Sequence, residues 1–257
     1  MAQFQSLSYE ADGGIVTVWL DRPPVNAVDQ EMYRSIKDLF SSIESLGDDV
    51  RVVILAARGK HFCAGNDLPE FESLSPENSR SRMQEVRAAF FAIQDAPVPV
   101  IGAVQGVAYG TGLAIAASCD FVVAAAGARL GTPEVSVGVM GGARHLMRLV
   151  PQPIARWMYF SAEPIRVERL QALGAILDVV PPAELMDRAR MRAMQISRHS
   201  GVVLRFAKRS LNEIEEMPLR PAYEFEQSLT GELSGYPEAK ASLQAVVEGR
   251  GPKFSGG

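Results

Sequence analysis

Cysteine and histidine are scarce in this 257-residue chain, which contains two cysteines and three histidines. Cys63 and Cys119 lie far apart, so they indicate neither a disulfide framework nor a cysteine-based metal cluster. The histidines do not have the spacing of metal ligands. We therefore expect no metal and no redox cofactor, and we interpret both cysteines as small buried hydrophobic residues.

Long apolar runs and excess positive charge are also missing. No uninterrupted apolar stretch reaches the about 18 residues that a membrane span requires. The first ten residues, MAQFQSLSYE, lack the basic and apolar regions of a signal peptide. A net charge of -4 does not favour nucleic acid, because phosphate binding requires a basic surface. These features predict a soluble cytoplasmic protein that binds neither membrane nor nucleic acid.

Short apolar strands alternate with helices in the first part of the chain. Because strand, helix and strand follow one another, the pattern predicts an α/β architecture with parallel pairing. Asp29 is a suitable N-cap for the first helix. The predicted strands are 14–20, 52–56, 98–104 and 121–125, and the predicted helices are 29–46, 79–93 and 111–118.

The chain becomes mostly helical after Pro151. The patterns predict one strand at 176–180 and helices at 184–197, 202–215, 219–233 and 237–247. We expect residues 1–197 to form the core that carries the ligand site. Residues 198–257 are predicted to form a helical region that packs on the core or on a neighbouring subunit.

Three loops follow predicted strands, at the edge of an α/β sheet where ligands bind. The first, at 61–68, reads HFCAGNDL. Its small residues let a ligand approach the backbone, and N–H groups near Asn66 would point outward from a helix start. The alternative is a tight strand-to-helix turn capped by Asp67.

The second loop, at 104–112, reads VQGVAYGTG and leads into a helix of small residues. Free N–H groups at a helix start, with the helix dipole behind them, favour developing negative charge. Alternatively, close packing of helix on strand alone demands these small residues. The loop is not a dinucleotide fingerprint, because the third glycine is missing.

The third loop, at 130–142, reads LGTPEVSVGVMGG and places Glu134 among valines. Burial in apolar surroundings raises the pKa of a carboxyl group and suits it to proton transfer near neutral pH. A structural cap or a surface ion pair is the alternative role. The loop is not a serine nucleophile elbow, because Glu134 stands where that motif needs glycine.

These three motifs, in this order, resemble those of the crotonase family, also called the enoyl-CoA hydratase/isomerase family. The resemblance extends from LDRPPVNA at 20–27 to RGPKF at 250–254. It implies a crotonase-like ββα spiral core with a C-terminal helical region, assembled as a homotrimer or a dimer of trimers. It also implies an acyl-CoA thioester substrate, with coenzyme A as part of that substrate and no other cofactor.

The resemblance also implies residue roles. The backbone N–H groups of Asn66 and Thr111 would form an oxyanion hole for the thioester oxygen, and Glu134 would be the acid/base. The loop at 68–78 would form the wall of the acyl pocket. By position, the residues expected to contact substrate or coenzyme A are Arg22, Val25, Ala64, Asp67, Leu68 and Gly110, with Arg58 and Lys60 as further phosphate candidates. Solvated surface charge is the alternative role of the three cations.

Two positions depart from the family pattern. Thr111 stands where glycine is usual, and Ala114 stands where hydratases carry a second glutamate. Because alanine transfers no proton, the sequence favours a reaction with one base, namely double-bond isomerisation. Hydration and acyl-CoA hydrolysis remain alternatives on this scaffold. A non-catalytic acyl-CoA binding protein is a further alternative, against which Glu134 argues.

Overall fold

Strands and helices alternate through the part of the chain that the computed structural model describes, which is residue 4 and residues 6–250. The strands are β1 (Leu7–Asp12), β2 (Ile15–Leu20), β3 (Val52–Ala57), β4 (Val100–Val104), β5 (Val107–Tyr109), β6 (Phe121–Ala125), β7 (Arg129–Gly131), β8 (Ile165–Arg166) and β9 (Asp178–Val180). The helices are α1 (Gln30–Ser41), α2 (Leu68–Glu72), α3 (Pro76–Gln94), α4 (Thr111–Ser118), α5 (Ala143–Leu149), α6 (Gln152–Ser161), α7 (Val167–Ala172), α8 (Leu185–Ser197), α9 (Gly201–Ile214), α10 (Leu219–Leu233) and α11 (Pro237–Val247).

The strands form two sheets. The larger has the order β1-β2-β3-β4-β6-β9, and the smaller has the order β5-β7-β8. In the larger sheet β1 and β2 are antiparallel, and every other neighbouring pair is parallel. Because β5 and β7 alternate along the chain with β4 and β6, the backbone winds back and forth between the sheets. The predicted α/β spiral is confirmed.

The core covers both faces of the larger sheet. All six residues of β3 are buried, as expected for a parallel strand covered on each side. Val53 and Leu55 face the cluster that contains α1, α3 and α4, whereas Val52 and Ile54 face α8. The site described below lies among the loops on the α1, α3 and α4 side.

Helix α1 begins where its sequence predicts. The side chain of Asp29 accepts a hydrogen bond from the Met32 N–H at 2.8 Å, which confirms Asp29 as the N-cap. The α-helix ends at Ser41, earlier than predicted, and a 3-10 turn continues at Ile43–Leu46. The helix buries one apolar face, on which Tyr33 is only 1% exposed.

Several elements were not predicted. Strand β1 is an edge strand that buries only Leu7 and becomes exposed from Glu10 onward, and β5, β7 and β8 have only two or three residues each. Helix α5 is a further element without a sequence prediction, and α6 and α7 agree with the predicted helical character after Pro151, for which the sequence gives no bounds. The third loop therefore follows β7 of the smaller sheet, because β6 ends at Ala125 and a further turn intervenes.

The C-terminal helices are attached to the core through α9. Lys208 of α9 places its ammonium 2.7 Å from both carboxylate oxygens of Asp120, and the Asn212 amide donates to the Gln94 carbonyl at 2.8 Å. The division at residue 197 stays a prediction. The part of it that falls on residues 251–257, including most of the RGPKF motif, lies outside the described residues.

Both cysteines are free and buried, which confirms their interpretation as small core residues. Within the described ranges, no three His, Cys, Asp or Glu side chains come together in a way that could hold a metal ion. No helix in these ranges combines the length and apolarity needed to cross a bilayer.

Candidate active site

The three loops that the sequence singles out meet at one cleft of about 340 Å³. Ala64 and Asn66 of the first loop, Thr111 of the second and Glu134 of the third all line it. Gly110 and Leu68, two of the expected substrate contacts, also lie on its surface. The structure therefore brings together residues from three separate segments of the chain.

The first two loops are joined through their backbones. The Cys63 N–H donates to the Val107 carbonyl at 3.1 Å, and the Tyr109 N–H donates to the Cys63 carbonyl at 3.0 Å. Helix α4 packs so closely here that a Cβ added to Gly112 would lie 2.2 Å from the Cys63 oxygen. Glycine at position 112 is therefore required for this contact.

Two backbone N–H groups are available at the cleft. Asn66 follows Gly65, and Thr111 begins α4 after Gly110. Among the hydrogen bonds of the described residues, none is donated by the backbone N–H of Asn66 or of Thr111. Such amides have unused capacity to bind an oxygen that carries negative charge.

The departure at Thr111 is accommodated by its neighbour. Gly110 takes the positive φ of 51° that the turn demands, and Thr111 lies in the first turn of the helix. A Cβ at Gly110 would also lie 3.1 Å from Oε1 of Glu134. Because glycine supplies the positive φ at position 110, residue 111 keeps ordinary helical backbone angles, which a β-branched residue can adopt.

Glu134 lies at the start of a 3-10 turn after Pro133 and is only 8% exposed. Its Oε2 atom is buried and has no hydrogen-bond partner in the described part of the chain. Burial raises the pKa of this carboxyl group, and a backbone hydrogen bond offsets the shift in part. Among the described residues that line the cleft, Glu134 is the one with an ionisable side chain.

The remaining wall of the cleft is apolar. Leu68 and Leu74 come from the loop predicted to form the acyl pocket wall, and α3 supplies further side chains. Ala114 is 1% exposed and contributes only a methyl group where a second carboxylate would be expected. The larger apolar lining residues are Leu68, Leu74, Met83, Val86, Phe90, Val137, Val139 and Met140.

Three expected substrate contacts lie outside this lining. The Arg22 guanidinium forms ion pairs with Asp67 at 2.6 Å and Asp29 at 3.0 Å, and the Val25 carbonyl accepts from the Ala64 N–H at 3.0 Å. These contacts hold the first loop on the side that faces away from the cleft lining. The roles of Arg22, Val25 and Asp67 toward coenzyme A stay predictions.

Two supporting residues were not predicted. The side-chain amide of Asn26 donates hydrogen bonds of 2.9 Å to the carbonyls of Arg58 and His61. Asn26 has a φ of 54°, and these bonds connect the segment at 20–27 to the first loop. The Tyr33 hydroxyl contacts the side chains of both Asn66 and Thr111. The sequence indicates that a tyrosine on the apolar face of a helix has a hydrogen-bond partner, but it does not indicate which residue that partner is.

Comparison with known proteins agrees with this architecture. A family model described as "Enoyl-CoA hydratase/isomerase" matches residues 10–257. The chain is 36% identical over 222 residues to a Rhodococcus jostii protein named (7aS)-7a-methyl-1,5-dioxo-2,3,5,6,7,7a-hexahydro-1H-indene-carboxyl-CoA hydrolase, with 86% of each chain covered. It is 29% identical to a short-chain-enoyl-CoA hydratase of Clostridium acetobutylicum, covering 96% of this chain and 97% of that protein.

The fold is shared with solved structures as well. An enoyl-CoA hydratase from Mycobacterium smegmatis superposes with a TM-score of 0.90 at 29% identity, covering 97% of this chain and 98% of that one. The family match covers nearly the whole chain and includes all three loops of the cleft. The chain therefore belongs to the enoyl-CoA hydratase/isomerase, or crotonase, family of acyl-CoA enzymes.

Proposed function

We propose that this enzyme moves a proton on an acyl-CoA thioester through an enolate, with Glu134 as its single acid/base, and that it isomerises 3-enoyl-CoA to 2-enoyl-CoA. The observation that carries the proposal is the lining of the cleft. Within the described residues, it combines one ionisable side chain with two backbone amides that have no protein acceptor, whereas the second acidic position is occupied by Ala114.

The reaction would proceed in two proton transfers. The ionised Glu134 removes a proton from the carbon next to the thioester, and the electron pair moves onto the thioester oxygen. The protonated Glu134 then returns that proton to the far carbon of the allylic system, and the double bond ends beside the thioester. The proton and the charge are balanced, so one carboxylate is sufficient.

The amides of Asn66 and Thr111 would stabilise the enolate oxygen. Loss of one such donor in a comparable site lowers the rate by about 10²–10³-fold, or about 3–4 kcal/mol. The apolar wall strengthens this effect, because electrostatic interactions are stronger where water is excluded. The raised pKa of Glu134 supports the same mechanism, since it improves the match between the base and a weakly acidic carbon.

Hydrolysis is the second candidate. Relatives from Rhodococcus jostii and Mycobacterium tuberculosis, each 36% identical to this chain, are named as hydrolases of a dioxo-indene-carboxyl-CoA. In such a reaction Glu134 would deprotonate water for attack on a ring ketone, and the carbon–carbon bond would break to give the thioester enolate. The same carboxylic acid would then protonate the enolate carbon.

Hydration is a third possibility that the named relatives raise, because a hydratase at 29% identity spans nearly the whole chain. Ala114 disfavours it. A hydratase must position and deprotonate water while it protonates the adjacent carbon, and two carboxylates perform this better than one.

Coenzyme A would be held beside the first loop. We propose contacts from Ala64, Leu68 and Gly110 to the thioester end, since these residues line the cleft. Val25, Asp67 and Arg22 would support the loop against the pantetheine and phosphate groups. Arg58, which lies 3.8 Å from the centre of the Trp19 ring, and Lys60 are the further phosphate candidates.

We also propose that α9, α10 and α11 mediate assembly into a trimer or a dimer of trimers. These helices expose large apolar side chains, which subunit contacts would bury. Sedimentation that shows only monomer at micromolar concentration would contradict this. The exposed side chains are Leu211, Leu219, Tyr223, Leu243, Val246 and Val247.

A panel of thioesters tests the proposed reaction. The enzyme is incubated separately with 3-enoyl-, 2-enoyl- and 3-hydroxyacyl-CoA and with a bicyclic dioxo-carboxyl-CoA, and the products are identified by chromatography and mass spectrometry. Conversion of 3-enoyl- to 2-enoyl-CoA as the fastest reaction supports isomerisation. Ring opening as the fastest reaction replaces it with hydrolysis, and interconversion of only the 2-enoyl and 3-hydroxy compounds replaces it with hydration.

A further inference from the structure

We propose that Tyr33 is a positioning residue that holds the two oxyanion-hole residues in register. Its hydroxyl group joins the side chain of Asn66 on the first loop to the side chain of Thr111 on the second. The inference rests on the proposed oxyanion role of these two residues. It adds a third residue, from helix α1, that does not itself line the main cleft.

The hydrogen bonds around Tyr33 have a defined direction. The side-chain oxygen of Asn66, Oδ1, can only accept a hydrogen bond, so the Tyr33 hydroxyl donates to it. That hydroxyl has no second proton, and the Thr111 hydroxyl, 2.8 Å away, therefore donates to the Tyr33 oxygen. The result is a continuous chain from Thr111 through Tyr33 to Asn66.

Tyr33 is itself firmly held. It is 1% exposed, and its ring packs edge-on against Phe90 with 6.0 Å between ring centres. Burial raises the pKa of its hydroxyl, so the group stays protonated and continues to donate across the physiological pH range. A buried, fully bonded hydroxyl restricts the side chains to which it is bonded.

This restriction matters because an oxyanion hole depends on position. Each donor must lie about 2.7–3.1 Å from the oxygen that becomes charged, and the two donors come from different loops. Linking the side chains of Asn66 and Thr111 limits how far the two backbones drift apart. The departure from glycine at position 111 then has a function, because glycine offers no hydroxyl to Tyr33.

The first test replaces Tyr33 by phenylalanine, which removes the hydroxyl and keeps the ring that packs on Phe90. We expect kcat for solvent-deuterium exchange into an acyl-CoA to fall about tenfold, less than for outright loss of a donor. KM should stay within about twofold, because ground-state binding is retained. The matched control is Tyr9→Phe on β1, a tyrosine that packs against Phe4 and is not part of the cleft lining, and its replacement should leave both constants unchanged.

A spectroscopic measurement separates positioning from general stability. A conjugated 2,4-dienoyl-CoA absorbs at longer wavelength when hydrogen bonds polarise its thioester carbonyl. Tyr33→Phe should reduce this red shift on binding, and Tyr9→Phe should not. A lower melting temperature with an unchanged red shift and unchanged kcat would assign Tyr33 a merely structural role and overturn the proposal.

A second set of variants tests the same link from the other end. Thr111→Val removes the donating hydroxyl but keeps the branched shape, and it should lower kcat about as much as Tyr33→Phe. Thr111→Ser restores a hydroxyl and should recover most of that loss. The double variant Tyr33→Phe with Thr111→Val should be little worse than either single variant, because both break one chain. Additive losses would refute the link.

The two levels of the proposal fail differently. Wild-type protein that neither exchanges protons nor shifts the dienoyl absorbance would contradict the enolate function itself. Wild-type protein that does both, together with a Tyr33→Phe variant indistinguishable from it, would leave the function standing and remove Tyr33 from the site.

Discussion

Replacement of Glu134 by glutamine gives the sharpest test of the mechanism. The two side chains have nearly the same volume, so the buried pocket that leaves Glu134 only 8% exposed is retained. The change removes the one ionisable group among the described residues of the cleft. A positioned acid/base contributes about 10²–10⁴-fold to a rate, so kcat should fall by this factor, equivalent to about 3–5 kcal/mol in the activation barrier.

The same substitution has a predictable effect on stability. Burial raises the pKa of Glu134 in the folded state, so ionisation is less favourable there than in the unfolded chain. The stability that the neutral carboxyl group contributes to the folded protein is complete below the unfolded-state pKa, and it is lost as pH rises through the folded-state pKa. Because glutamine does not ionise, Glu134→Gln should match the wild type at acid pH and become the more stable protein as pH rises.

Two measurements check these expectations. Exchange of solvent deuterium into an acyl-CoA is followed by mass spectrometry across pH, and the wild-type rate should rise through one ionisation above the usual range of glutamate. Urea unfolding at the same pH values gives the stability difference, with Glu163→Gln, an exposed residue outside the cleft and the C-terminal helices, as the control. Exchange that survives in Glu134→Gln, or that is lost together with thioester binding, would refute the assigned role.

Three further predictions concern the surroundings of the site. Gly112→Ala should lower the free energy of unfolding by about 1–3 kcal/mol in urea titration, because its Cβ would lie 2.2 Å from the Cys63 oxygen. The control Gly231→Ala, whose Cβ would meet no atom of the described residues within 4 Å, should not lower it. Burial raises the pKa of the Cys63 and Cys119 thiols to about 12, so an aromatic disulfide reagent at pH 8 should label neither until the protein unfolds, and rapid labelling of native protein would contradict this. Ala114→Glu restores the second acid of a hydratase and should raise 3-hydroxyacyl-CoA formation from 2-enoyl-CoA about tenfold, measured by chromatography against wild type; no gain would show that a second carboxylate is not what limits hydration.

The local elements and the three ligand loops were predictable from the sequence. The Asp29 N-cap, the all-apolar β3 and the small-residue α4 each arise from a short window, in which neighbouring residues settle the conformation. The first two glycine-rich loops were predictable for the same reason, since they follow the apolar strands β3 and β4, whose ends lie at one edge of the parallel sheet. The third loop follows β7 of the smaller sheet, so its position beside the other two was decided by tertiary structure.

Other features depended on contacts between distant parts of the chain. The short strands β5, β7 and β8 exist only because they pair with one another, and no window of two or three residues predicts such pairing. The ion pairs of Arg22 with Asp29 and Asp67 also join separate segments of the chain, whereas its contact with a phosphate stays a prediction. Tyr33 lies 78 residues from Thr111, and only the packing of α1 and α4 on either side of α3 brings their hydroxyls to 2.8 Å.

The sequence by itself therefore identified the residues to which we assign the chemistry: one carboxylate at position 134, an alanine at position 114 and the backbone amides of two loops. Tertiary structure decided how those groups behave. The buried Oε2 of Glu134 has no partner among the described residues, and one tyrosine spans the two amide loops. Burial and hydrogen-bond partners are properties of the packed chain, because both depend on which distant segments exclude water from a group.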